Sequence, residues 1–353
     1  MTDLQASRRR SATKSHRVDV LGEVEADLTM LGERYPVFRS TRFRALALTI
    51  EAHLSDACRE DRALASLVSL WIAAFDDLVD EEQITGTALH GLTDRYKASA
   101  RDSLARAADL GQQRRKLNSA QLEPAEQLDR ALEEITRGVV RRRPGEPLKA
   151  YWLATFERMV DGIVAQRELG TQWYVETMDG SEVTGFTLPV DAAATYQVLM
   201  ETLLHSIGVP FYLATCFIIY RESTLAERLQ ELTPIVEACA RAIRLANDLQ
   251  SWQKDSRERN ANAVVAIAAE IVRSHPGISY AECRERTLEL LDERLKLEVS
   301  GVLSLLAASS VPGGKAERGI ARLVEFVTTF YATHDYHTYR PVPRPGEPPA
   351  NTP

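Results

Sequence analysis

The chain has 353 residues, a formal net charge of −7, 44% hydrophobic residues and 26% charged residues. That length supports one large core or two medium ones, and the composition is ordinary for a globular protein. An acidic balance leaves no overall basic field, so nucleic acid is excluded as a partner and any anionic ligand must be held by local groups. No uncharged apolar run reaches the ~20 residues of a membrane span, so no stable membrane insertion is expected. No stretch at the N-terminus has the basic start, apolar middle and small-residue site of a secretion signal. Cys58, Cys216, Cys239 and Cys283 show no metal-binding spacing and read as reduced core residues of a cytoplasmic protein.

In chain order, residues 1–17 are polar and basic and read as a tail without fixed structure. Apolar residues then recur at helical spacing from Val20 to Leu31 and from Thr41 to Cys58, with Pro36 in the turn between. Leu64 to Glu82 is a helix ending in the acidic stretch DDLVDEE, where Asp76 and Asp80 are an i,i+4 pair and Asp77 adjoins the first. Carboxylates bunched at the end of an apolar run repel one another unless cations neutralise them. Gly91 to Lys116 reads as a solvated helix, Leu122 to Val140 as a helix with Pro124 in its first turn, and Pro147 to Trp173 as a long helix. Val190 to Tyr220 is apolar but interrupted at Gly208-Val209-Pro210, where Pro210 should break or kink the helix.

The next helix, Glu231 to Glu258, contains RLANDLQSWQKD at 244–255. At 100° per residue, Asn247, Ser251 and Asp255 fall at about 0°, 40° and 80°, with Arg244 and Lys254 in or beside the same stripe. An amide oxygen, a hydroxyl and a carboxylate one turn apart can ligate a hard divalent ion, and the flanking cations can take phosphate oxygens. Trp252 lies about 140° from Asn247 and should pack outward. Helices at Asn260 to Val272, Tyr280 to Leu306 and Lys315 to His337 follow. Residues 341–353, with six prolines, read as a second tail, leaving 18–340 as one unit. No segment reads as a strand, so the fold class is all-α, one domain of helices around a central cavity.

DDLVD at 76–80 together with NDLQSWQKD at 247–255 resembles the two metal-binding motifs of class I terpene synthases. The resemblance covers roughly residues 25–340 and implies the class I isoprenoid synthase helical bundle around an apolar cavity. It implies Mg2+, as three ions with bound diphosphate, and an allylic isoprenoid diphosphate as the small-molecule partner; a homodimer is compatible with it. Asp76, Asp77 and Asp80 match the aspartate motif, Asn247, Ser251 and Asp255 the second ligand set, and Lys254 the lysine beside it. Asp255 replaces the glutamate common at its position. Arg244 and Arg340 are further candidates for holding diphosphate, although Tyr339-Arg340 reverses the usual order of that pair. The arginine that usually precedes the helix break is absent; His205 is the basic residue there, and Gly208 fits the break.

Carbocation chemistry needs an aromatic wall that excludes water. Trp71, Phe75, Trp152, Phe156, Tyr196, Phe211, Tyr212 and Tyr331 are candidates, with Phe75 and Trp152 foremost. In its missing arginine and the segment SIGVPFYLATCF the chain resembles diterpene synthases, which implies a C20 substrate, geranylgeranyl or copalyl diphosphate, with farnesyl diphosphate as the alternative. A prenyl-chain elongating enzyme and a non-enzymatic helical scaffold are the remaining readings.

Overall fold

The computed structural model describes residues 20–81, 84–106, 122–173, 196–258, 260–334, 336 and 339. Both tails, 1–17 and 341–353, and Arg340 lie outside the described residues, as do 107–121 and 174–195. Within the described residues the regular structure is helical: α1 (20–34), a 3-10 turn Ser40–Arg42, α2 Phe43–Leu54, α3 Arg59–Glu81, α4 Gly86–Arg106, α5 Pro124–Arg141 and α6 Glu146–Trp173. There follow α7 Tyr196–Leu203, α8 Val209–Tyr220, α9 Leu229–Glu258, α10 Ala263–Ser274, α11 Tyr280–Ala307 and α12 Lys315–Tyr331. No strand occurs among the described residues.

Helix α8 is the inner element. Every residue from Val209 to Ile219 is buried, as expected of a helix apolar all round. It packs against α3, α6, α9 and α12, while α2 pairs with α3 and α12. These six helices form the wall of the bundle. Helices α4 and α5 cover α3 and α6 from outside, and α10 and α11 cover α9. The outer position of α5 follows from its strongly one-sided pattern, Leu128, Ala131, Leu132, Ile135 and Val139 inward. A second apolar cluster joins Leu199, Leu203, Leu245, Trp252 and Ile267 beneath α7, α9 and α10. Trp252 therefore packs away from the bundle axis. Of the cysteines, Cys58 is exposed rather than in the core, and the other three are buried. No described helix is long and apolar enough to cross a membrane.

The interruption between α7 and α8 has a different cause from the one expected. Pro210 sits in the first turn of α8, where its missing N–H costs nothing. The reversal is made by Gly208, with φ +75°. A Cβ at Gly208 would stand 2.6 Å from Cγ2 of Ile72 on α3, and one at Gly162 on α6 would stand 2.8 Å from the Ser206 backbone nitrogen. The break is thus pinned between two helices that approach it through glycine.

Gly208→Ala should destabilise the protein by about 2–4 kcal/mol, from left-handed strain plus overpacking. Adding Ile72→Ala should return the overpacking share but not the strain. Urea unfolding of the single and double variants would check this; strictly additive effects would show that Ile72 is not the obstacle.

Candidate active site

A cavity of about 180 Å³ runs down the bundle axis, with Asp76 and Asp80 of α3, Asn247, Ser251, Lys254 and Asp255 of α9, and Arg42 and Arg244 in its lining. Leu46 and Thr49 of α2, Ile72 and Ala73 of α3, Gly208, Val209 and Tyr212 at the start of α8, Leu323, Val327 and Tyr331 of α12, and Tyr336 beyond it are among the other lining residues. Two polar clusters nearly 170 positions apart in sequence therefore share one cavity, and its remaining wall is mostly apolar.

The polar cluster is densely acidic and poorly solvated. Burial, reinforced by Asp76, pushes Asp80 up to about 8. Asp255 is pushed up to about 7 by burial and by Asp248 two turns earlier on α9. Asp76 is also raised, by burial first; Lys254 opposes the shift and Asp77 adds to it. Asp248 is raised by burial against the counter-effect of Arg244. Ser251 donates to Oδ2 of Asp255 at 2.6 Å, the same oxygen that accepts from Nδ2 of Asn262 at 2.7 Å. Asn247 Nδ2 lies 3.5 Å from the Ser251 hydroxyl oxygen. Nζ of Lys254 is 3.0 Å from Glu258.

Of the three neighbouring aspartates, Asp77 is turned away from the cavity. Its carboxylate forms a buried pair with Arg42 and lies 3.7 Å from Arg39. A 100° rotation per residue separates it from Asp76, so the expected metal role of Asp77 is replaced by anchoring the start of α2. Arg244 lines the cavity but is largely committed to the scaffold. Its Nη1 donates to Gln166 at 2.8 Å and Ser206 at 2.9 Å, Nη2 donates to the Ala261 carbonyl at 2.9 Å, and Nε lies 2.7 Å from Asp248. It ties α9 to α6, to the break before α8 and to the turn before α10. A role gripping diphosphate would need those bonds exchanged.

Phe75 and Trp152 do not line the cavity. Phe75 packs 5.3 Å from Trp71, and Trp152 packs 5.2 Å from Phe211 and donates its Nε1–H to Thr215 at 2.9 Å. Together with Phe156 they make a fully buried aromatic layer behind the cavity wall. Tyr196 packs under Arg294 in the second cluster. Of the eight expected wall aromatics, Tyr212 and Tyr331 reach the cavity. His205 does not line it, and burial, then Arg158, lowers its affinity for a proton.

The oxygen-rich donor set fits a hard divalent ion. Buried carboxylates whose proton affinity is raised are short of positive charge, and amide and hydroxyl oxygens stand beside them. Among the described residues no three His, Cys, Asp or Glu side chains converge on one point. An ion here would complete its shell with Asn247 and Ser251 oxygens, water and ligand oxygens.

Residues 191–296 match the family described as terpene synthase family 2, C-terminal metal binding. That stretch is less than half of the chain and carries Asn247, Ser251 and Asp255; in fold the chain is like the class I terpene synthases. In structure it is similar to 2-methylisoborneol synthase from Streptomyces coelicolor A3(2), solved with Mg2+ and 2-fluoroneryl diphosphate, at 15% identity and a TM-score of 0.62 over 91% of this chain and 94% of that one. Linalool/nerolidol synthase from Streptomyces clavuligerus, in complex with 2-fluorogeranyl diphosphate, gives 15% identity and a TM-score of 0.55 over 90% and 95%. Abietadiene synthase from Abies grandis gives 14% and 0.56 over 90% of this chain but 39% of that one. No curated protein matches.

Several residues of the site carry weaker sequence signals than the two motifs. Asn262 caps α10, accepting from the Val264 N–H at 2.8 Å, while its amide holds Asp255. An Asn directly before the apolar run AVVAIAA is a cap signal that could have marked it. Asn260 donates to Asp80 Oδ2 at 3.1 Å and so joins the two clusters. Asp248 accepts the Ala263 N–H at 2.9 Å, holding the α9–α10 turn. Nothing in the sequence around Arg42 announces its partner, 35 residues away.

The raised carboxyls set the pH dependence of the ion-free protein. Between about pH 4 and pH 8, unfolded Asp80 and Asp255 are ionised while their folded forms retain protons. The unfolded state then binds fewer protons, so stability should fall as pH rises through this window. Mg2+ with inorganic diphosphate should release protons and offset the loss. Thermal melts from pH 5 to 8.5, with and without Mg2+ and diphosphate, would check the sign. In the ion-free protein at pH 8, Asp80→Asn should raise the melting temperature, whereas Asp77→Ala should cost about 3–5 kcal/mol by stranding Arg42.

Proposed function

We propose that the protein is a Mg2+-dependent class I terpene cyclase, which ionises an allylic isoprenoid diphosphate and cyclises the resulting carbocation. What carries this reading is the pairing of Asp76/Asp80 with Asn247/Ser251/Asp255 on the wall of one otherwise apolar cavity. Asp76 and Asp80 would hold ions from α3 and Asn247, Ser251 and Asp255 an ion from α9. Bound Mg2+ supplies positive charge that stabilises the departing diphosphate. Lys254 adds a cation at the same end, and Arg244 keeps the α9 cluster aimed into the cavity. The apolar wall of Leu46, Ile72, Val209, Leu323 and Val327 shields the hydrocarbon from water and gives the cation no nucleophile. Tyr331 and Tyr212 present aromatic rings to it.

For chain length we favour farnesyl diphosphate over the C20 substrates suggested by the sequence. From Asp76 to Ser69 on α3 and from Arg42 to Thr49 on α2, the cavity-lining residues span about 10 Å of helix. Below them Thr49 is hydrogen-bonded to Tyr336, which closes that side. The neryl and geranyl analogues bound by two of the similar enzymes are also short-chain diphosphates.

Purified protein incubated with Mg2+ and geranyl, farnesyl, geranylgeranyl or copalyl diphosphate, followed by gas chromatography–mass spectrometry, tests this. Cyclic product is expected chiefly from farnesyl diphosphate, and Asp76→Ala and Asn247→Ala should each lower turnover by about 100-fold or more. A clear preference for a C20 substrate would overturn the chain-length assignment. No magnesium-dependent turnover of any of them would sink the cyclase reading.

A further inference from the structure

Beneath the cavity, three side chains form a continuous hydrogen-bonded line. Tyr212, which lines the cavity, places its Oη 2.9 Å from Nδ1 of His53, and Nε2 of His53 lies 2.6 Å from Oη of Tyr220. Tyr220 and His53 also line a second cavity of about 290 Å³, whose other walls include the exposed residues Asp56, Cys58, Lys315 and Arg318. The line therefore joins the reaction chamber to the opposite face of the bundle. Room for it is made by Gly319 on α12, where a Cβ would stand 1.9 Å from Tyr220 Oη and 3.0 Å from His53 Nε2. His53 lies about 16 Å along α2 from Arg42 at the polar end, so this line serves the end of the cavity remote from diphosphate.

Resting on the cyclase reading above, we propose that Tyr212, backed by His53 and Tyr220, accepts the proton whose loss ends the carbocation sequence. A C–H bond beside the cationic carbon breaks, and its electron pair becomes the second bond of an alkene. The proton passes to Tyr212 Oη as the phenol's own proton moves to Nδ1 of His53. Tyr212 ends neutral and His53 ends as imidazolium. Its Nε2 proton then goes to Tyr220 Oη as that hydroxyl gives its own to water in the second cavity. Proton exchange along the same hydroxyls restores the starting tautomer after product leaves.

Burial, with the nearby positive charge of Arg322, lowers His53 to about 3, so the ring rests neutral and sheds an acquired proton readily. Burial raises the Tyr212 hydroxyl well above its usual range, so it enters the reaction as a phenol and not a phenolate that would trap the cation. The charged groups facing this line and its second cavity are Arg322, Arg318 and Lys315 of α12, Asp56 beyond α2, Asp61 of α3, and Arg221 and Glu222 after α8, with Arg322 3.2 Å from Asp56.

The test reads two quantities separately in the full chain with Mg2+ and its preferred prenyl diphosphate: diphosphate release, and the identity of the extractable products. Tyr212→Phe and His53→Asn should keep release within about threefold of the parent while the main alkene falls by about tenfold or more, replaced by alcohols or isomeric alkenes. Tyr220→Phe should keep the product and slow turnover. Unchanged products in Tyr212→Phe and His53→Asn, with release intact, would overturn the relay and leave the cyclase reading standing. Loss of release in folded Tyr212→Phe would also overturn it, because the hydroxyl would then serve ionisation. Should the parent release no diphosphate from any substrate, both readings fall together. Thermal melts identify a variant that fails to fold, and if that is His53→Asn, the two tyrosine variants still decide.

Discussion

The constraint on which the rest of this structure depends is the enclosure of aspartates in the wall of an apolar cavity with too few cations to neutralise them. Asp76, Asp80 and Asp255 all hold protons more tightly than free carboxyls do, mainly because burial disfavours their charge. Left alone, such a cluster would splay toward solvent. The surrounding bonds resist this at points that do not themselves enter the cavity. Arg42 and Asp77 fasten the start of α2 to the end of α3, and Asn262 and Ser251 hold Asp255. The unfavourable charge is thus kept in place by the surrounding pairs, and a divalent ion would add the missing charge.

Arg244 is the clearest case of a side chain whose value lies in what it connects. Its guanidinium reaches α6 through Gln166, the α7–α8 break through Ser206 and the α9–α10 turn through Ala261. The break itself depends on Gly208 and Gly162 for its close approach to α3 and α6. One cation therefore couples the polar cluster on α9 to the point where the inner helix α8 begins. Displacing it would move both the ligand face and the top of the apolar wall. This explains why an arginine in the polar stripe is buried, whereas Lys254, on the same face near the helix end, remains partly exposed.

Much of the fold was legible because helical periodicity is local. The break near residue 208 was visible from composition, but its mechanism was not: proline is tolerated in a first turn, and the left-handed glycine before it makes the reversal. The candidate site was legible where its geometry is carried by one helix. Spacing alone places Asn247, Ser251 and Asp255 on one face and Asp76 and Asp80 on another. It could not tell which of two adjacent aspartates turns inward, because that depends on how α3 is rotated against α2. Nor could it separate Phe75 and Trp152, which form a layer behind the wall, from Tyr212 and Tyr331, which reach the cavity. Aromatic residues at helical spacing look alike from sequence, and their depth is set by neighbouring helices. Chain length is hard to read from sequence for a related reason, since cavity depth depends on Thr49 and Tyr336, far apart in the chain.

The distribution of polar groups along the cavity suits the cation chemistry proposed for it. Charge must be available where the diphosphate departs, yet a charged or strongly nucleophilic group near the hydrocarbon would capture the cation as an adduct. The carboxylates are accordingly confined to one end of α3 and α9, and the lining below them is aliphatic apart from neutral hydroxyls and aromatic rings. Burial keeps Tyr212 and Tyr336 protonated, and neutral phenols are weak nucleophiles. Their polarity is absorbed by Thr49 and His53, both on α2, so that helix carries the polar partners of the cavity floor as Arg42 anchors its rim. A single helix thereby fixes the two ends against each other, which keeps the acidic end and the apolar wall in register along the bundle axis.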